Sequence, residues 1–297
     1  MKLPLRAATL CLALATFALL AVPSVDATQA RRIWHAPLGG GASGTATLVA
    51  YTTGTGTMTI TAQSLAPSTT YSVMVYRGTC AKPIAVVKLG GIASDASGSL
   101  AGSLPLTTAQ QTTVWRATWA GNIGARIASG SNAHCGALTY AVATRVAVPA
   151  LGINLPVVLQ KSNAFPYCNV AMYLPDYSQP GEGGAAFIYA HARTGMFLPL
   201  LKASLVNNGA SMLGMKVYAW TSDSHVYTYQ VIKVLRHVYS VPAALAATTS
   251  QEVWLQTSEG PYGTYNKLFV VARRIAGASA TYAASHPTPH PLVCPLY

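Results

Sequence analysis

The chain has 297 residues, of which 51% are hydrophobic and only 9% charged, with 25 Gly, 18 Pro and a formal net charge of +12. An average soluble domain carries roughly 25% charged residues, so a coiled coil, a disordered polyelectrolyte and an Ala/Leu/Glu/Lys helical bundle are excluded, and short strands with polar turns in an exported setting are favoured. The cations are spread from Arg31 and Arg32 to Arg273 and Arg274 with no dense run and no nucleic-acid motif; that pattern argues against a nucleic-acid partner and suits solubility, an anionic cell-wall polymer or contact with a membrane surface.

Residues 1–30 read as a signal peptide. Lys2 and Arg6 precede an apolar stretch from Ala7 to Val22, and Pro23 breaks it. The stretch is shorter than the ~20 residues of a spanning helix, and small residues at Ala27 and Ala30 offer cleavage points. The expected product is secreted and associated with the cell surface; an uncleaved N-terminal anchor is the alternative. Of five cysteines, Cys11 lies in this leader, which leaves Cys80, Cys135, Cys168 and Cys294. An even number in an exported chain predicts two disulfides. Three pairings are open, and the division drawn below favours Cys80–Cys135 with Cys168–Cys294.

Residues 31–142 read as a β-sandwich. Thr45–Tyr51 and Thr57–Ala62 alternate apolar with polar residues around a Gly-containing turn at Thr53–Gly56, and Thr70–Tyr76 repeats the alternation. Ile84–Leu89, Gly98–Leu104, Thr112–Trp119 and Ala137–Val142 are read as further strands. Gly39–Gly44 lacks the Lys-Ser/Thr of a phosphate-binding loop, and His35 and His134 stand alone, so binding, spacing or stabilisation is the role expected of this unit.

Residues 143–276 read as a second β unit. Val146–Val148 and Leu155–Val158 are short strands, and Ala185–Ala190 is a fully apolar one. Met196–Val206 has helical character with Pro199 in its first turn. Lys216–Trp220 and His225–Val238 flank a turn at Ser222–Ser224, and Val253–Gln256 with Leu268–Ala272 complete an expected eight-stranded barrel. Residues 277–297 form a Pro/His-rich tail. His286, His290 and Cys294 are spaced by four, but Pro287, Pro289 and Pro291 forbid the helix that would align them, so no metal and no cofactor are expected.

The order of segments carries two resemblances. Leu65–Tyr71 with Gly78–Cys80 resembles the strand-and-loop pattern of CHRD-like or immunoglobulin-like extracellular sandwiches. Val146–Val158, then Ile188–His191 with Gly195–Phe197 and Leu200, then Lys216–Val238, then Trp254–Ser258, resemble the ordered segments of a sortase over about 130 residues. This second resemblance implies an eight-stranded barrel close to the housekeeping or class D/E/F-type enzymes, acting on peptide sorting signals with a cysteine, a histidine and an arginine. It places His191 at the histidine, Ser258 at the cysteine and Asn266 at the arginine, with Lys267 on the opposite face of the strand from Asn266. Because a serine is far less acidic than a thiol and Asn266 brings no charge, it implies a catalytically degenerate barrel that binds a peptide or wall polymer. An active transpeptidase or hydrolase using Ser258 and His191 is the alternative, and a structural envelope protein is a further one.

Overall fold

The computed structural model describes residues 30–51, 55–119, 122–160, 167–260 and 266–294. The expected leader (apart from Ala30) and the first half of the expected turn at Thr53–Gly56 lie outside these residues.

Eight strands and one helix come first: β1 Ala30–Leu38, β2 Ser43–Tyr51, β3 Gly56–Gln63, β4 Thr70–Gly78, β5 Pro83–Ala93, β6 Leu100–Leu106, α1 Thr108–Trp119, β7 Gly124–Ser129 and β8 Asn132–Ala137. They form two four-stranded sheets, ordered β1-β2-β3-β6 and β5-β4-β7-β8. Strict alternation explains their inner faces: Ala46, Leu48 and Ala50 of β2, Met58 and Ile60 of β3, and Tyr71, Val73 and Val75 of β4 share one buried cluster. The Cys80–Cys135 bridge ties the β4–β5 connection to β8.

Two expectations for this part are corrected. The segment Thr112–Trp119 is not a strand but the body of helix α1. Its β-branched residues suggest a strand, yet Gln111, Val114 and Ala117 are the buried positions, and a spacing of three belongs to a helix face. The helix is also capped reciprocally: Gln110 Oε1 accepts from the Thr107 amide at 2.8 Å while Thr107 Oγ1 accepts from the Gln110 amide at 3.3 Å, a capping box. Similarly, Ala137–Val142 is a connection rather than a strand; β8 ends at Ala137, and beyond it only Thr139 bridges to His35 of β1.

The second half is a closed barrel of eight strands. Its strands are β9 Ala143–Val148, β10 Ile153–Leu159, β11 Ala171–Tyr173, β12 Ala185–Tyr189, β13 Lys216–Thr221, β14 His225–Val238, β15 Glu252–Ser258 and β16 Lys267–Ser279, joined in the order β10-β11-β12-β15-β16-β14-β13-β9. β9 turns into β10 through a single 3-10 turn, Pro149–Leu151, which ends on Gly152 in the left-handed region at φ 64°, where glycine avoids the Cβ penalty. Helix α2, Leu198–Ser204, carries Pro199 in its first turn. A short helix α3, Ala243–Ala247, lies between β14 and β15, and α4, Tyr282–Ser285, follows β16. The chain expected to be irregular from residue 277 thus continues as strand to Ser279 before this helix. The Cys168–Cys294 bridge returns the tail to the barrel.

Period-two alternation in β15 and β16 separates two apolar clusters. Val253, Leu255, Leu268, Val270 and Ala272 point into the barrel core. Trp254, Phe269 and Val271 point outward and pack with Met172, Phe187 and Tyr189, and Leu245 of α3 covers them. β12 is buried on both faces because it contributes to both clusters.

One cation joins the sandwich to the barrel. Arg32 of β1 is fully buried; its guanidinium lies 4.1 Å from the Trp115 ring and 4.0 Å from the Tyr140 ring. From that cation–π slot it pairs with Glu182 at 3.5 Å and donates to the Tyr177 carbonyl at 2.8 Å, both between β11 and β12.

Candidate active site

Ser258 is the last residue of β15, and its register partner across the antiparallel ladder is Lys267, the first residue of β16. Directly opposed residues project to the same face. Lys267 Nζ donates to Ser258 Oγ at 2.9 Å. Both lie on the outer face of the barrel, because their neighbours Thr257 and Leu268 are turned inward. On its other side Lys267 pairs with Val238 of β14, and Phe269 follows on the same face. These apolar neighbours half-bury the ammonium, and burial holds its pKa below the ordinary lysine value.

This arrangement adds a residue to the site that the sequence reading left on the face opposite Asn266. Lys267 does alternate with Asn266, but the ladder puts Lys267, not Asn266, against Ser258. Asn266 precedes β16, and its carbonyl accepts from the Glu259 amide at 3.1 Å. His191 follows β12 at the same end of the barrel: β12 runs parallel to β15 with Tyr189 opposite Gln256, the Ala190 amide donates to the Gln256 carbonyl, and Thr257 Oγ1 donates to the Ala190 carbonyl at 2.8 Å. The His191 backbone is held by the Phe197 amide, which donates to its carbonyl at 3.0 Å.

Glu259, next after Ser258, is turned the other way. Its carboxylate accepts from Arg236 Nε at 3.1 Å and from the His237 amide at 2.9 Å, and lies 2.8 Å from His237 Nδ1. Between the pairs Leu235–Phe269 and Val238–Lys267 the β14 register slips, so Arg236 and His237 bulge out of the ladder. Glu259 is thereby committed to β14. The floor beside Ser258 is aromatic: Tyr189 stacks on Phe187 at 5.7 Å, and its hydroxyl donates to Gln160 Oε1. Burial pushes the Tyr189 hydroxyl pKa well up, so it stays protonated.

Residues 146–275 match the family model described as the sortase domain. The barrel is a sortase-family domain. Similar solved structures include sortase A of Listeria monocytogenes (20% identity, 50% of this chain and 97% of that one, TM-score 0.39), a sortase C of Streptococcus pneumoniae (22%, 47% and 70%, TM-score 0.38) and a pilus-related sortase C of Group B Streptococcus (21%, 46% and 67%, TM-score 0.37). A search of curated proteins finds no match.

Within this sortase domain, thiol chemistry has no residue to use. Cys168 and Cys294 are bonded to each other, as are Cys80 and Cys135 in the sandwich. Among the described residues no cluster of three or more His, Cys, Asp or Glu is placed to hold a metal. A separate recess of about 380 Å³ lies between sandwich and barrel, lined by His35, Tyr140, Glu182, Asp223 and Tyr227. Tyr227 pairs with Gly277, ten residues along β16 from Lys267, roughly 33 Å at strand rise. That recess is therefore remote from Ser258.

Sequence reasoning named Ser258 and His191 but passed over Lys267 and the Arg236–Glu259–His237 clamp. The signal for Lys267 was present in the alternation of β15 and β16. What it lacked was the hairpin register, which residues 259–266 leave undetermined.

Proposed function

We propose that the protein acts outside the cytoplasm and holds an extended peptide of the sorting-signal class along the outer face of β12 and β15, beside Ser258, without thiol chemistry. The division into a sandwich (31–142) and a barrel (143–276) is part of this reading, with the sandwich as a spacer or adhesion unit. The observation that carries it is the sortase-domain match over residues 146–275, in which a serine stands at the strand end where the family's cysteine is expected. The apolar outer cluster, covered by Leu245, braces these strand ends from within, and the partly exposed polar groups of Ser258, Gln160 and Lys267 would fix the orientation of a bound peptide. The net positive charge supports an anionic wall polymer as a second ligand.

Fluorescence anisotropy with a panel of labelled sorting-signal peptides, and separately with a labelled anionic wall polymer, tests this. Saturable peptide binding is expected, weakened about tenfold or more by Tyr189→Ala, which removes the aromatic packing that braces this end of β12. Absence of saturable binding by every peptide would overturn the peptide reading.

A further inference from the structure

We infer that Ser258 and Lys267 form a catalytic pair for acyl transfer through an oxyester, with Lys267 Nζ as the base for Ser258 Oγ and a peptide or ester carbonyl as the acyl donor. The peptide part of this rests on the groove reading above; the serine–lysine pair does not. Three observations carry it. The two atoms are 2.9 Å apart, within the reach proton transfer requires. They are held there by direct ladder pairing at the ends of two strands, not by a loop, so the geometry is imposed by backbone. The lysine emerges between apolar neighbours Val238 and Phe269, a setting that favours its neutral form. Serine–lysine pairs are among the convergent solutions for activating a serine on unrelated folds.

The proton and electron accounting closes without an added reagent. Neutral Lys267 Nζ takes the Ser258 Oγ proton as Oγ bonds to the acyl carbon. The carbon–nitrogen bond of a peptide donor then breaks, and the proton passes from the Lys267 ammonium to the leaving amine. Water or an acceptor amine next attacks the ester, gives its proton to Lys267, and the proton returns to Ser258 Oγ as the ester bond breaks. Other ionisable groups among the described residues at this end of the barrel include Tyr189 of β12, His191 and Arg193 after it, and the β14 pair Arg236 and His237, both engaged by Glu259.

A fluorophosphonate probe tests the pair without any peptide, so failure here and failure of peptide binding are separable. The serine oxygen displaces fluoride from phosphorus, and mass spectrometry reads the adduct. Wild-type protein is expected to be labelled at Ser258, at a rate that rises with pH through a midpoint below about 10.4. Ser258→Ala should abolish the adduct, and Lys267→Met should slow it by about 10²–10⁴-fold. Lys267→Arg keeps a cation and a donor against Ser258 but cannot act as a base; it should be as slow as Lys267→Met while melting near the wild-type temperature. No adduct at Ser258 in folded wild-type protein, or labelling by Lys267→Arg within threefold of wild type, would overturn the inference.

Discussion

At the scale of single residues the decisive contact is a lysine ammonium 2.9 Å from a serine hydroxyl. A positive charge that close stabilises an anion at the same atom position. Ser258→Cys should therefore carry a thiol with a pKa at least one unit below the usual value of about 8.5, giving roughly tenfold more thiolate at pH 7. The pH dependence of iodoacetamide alkylation at position 258 measures this. Adding Lys267→Met should return the thiol to an ordinary value, or above it where burial is left unopposed. Equal alkylation profiles with and without the lysine would show that the contact has no electrostatic consequence.

At the scale of elements, α1 shows how local composition and packing can disagree. Its threonines favour strand, but Thr112 Oγ1 and Thr113 Oγ1 donate to the carbonyls four residues earlier, which reconciles them with a helix. The strand reading places residues 112 and 114 on one face; the helix places 111, 114 and 117 there. Val114→Ala removes two fully buried methyl groups and should cost about 2–3 kcal/mol in denaturant unfolding. Exposed Thr112→Ala should change stability by no more than about 0.5 kcal/mol. Comparable losses at both positions would contradict the helix. The capping box at Thr107 and Gln110 was a readable sign of this helix start; the β15–β16 hairpin offered no such sign of its register.

At the scale of the whole molecule, the Arg32–Glu182 contact ties sandwich to barrel and makes their union sensitive to pH. Burial pushes the Glu182 carboxyl up to about 7 even with the Arg32 guanidinium beside it, against about 4.3 in an unfolded chain. The folded state then holds this proton more tightly. Its contribution to stability is fully present below about pH 4.3 and is lost as pH rises to about 7, with a slope of up to about 1.4 kcal/mol per pH unit. Urea midpoints between pH 4 and 8 should show this decline in wild-type protein and a flatter curve in Glu182→Gln; parallel curves would remove Glu182 as the cause. The amino-acid sequence by itself determined the all-β class, most barrel strands and the pairing of Cys80, Cys135, Cys168 and Cys294 within each half, because alternation, residue type and order along the chain are local properties. Tertiary structure alone decided that Arg32 crosses from the sandwich to Glu182 and that Lys267, rather than Asn266, meets Ser258. Each of those outcomes depends on which faces find partners and in what register, and register is set by long-range packing that no window of sequence contains.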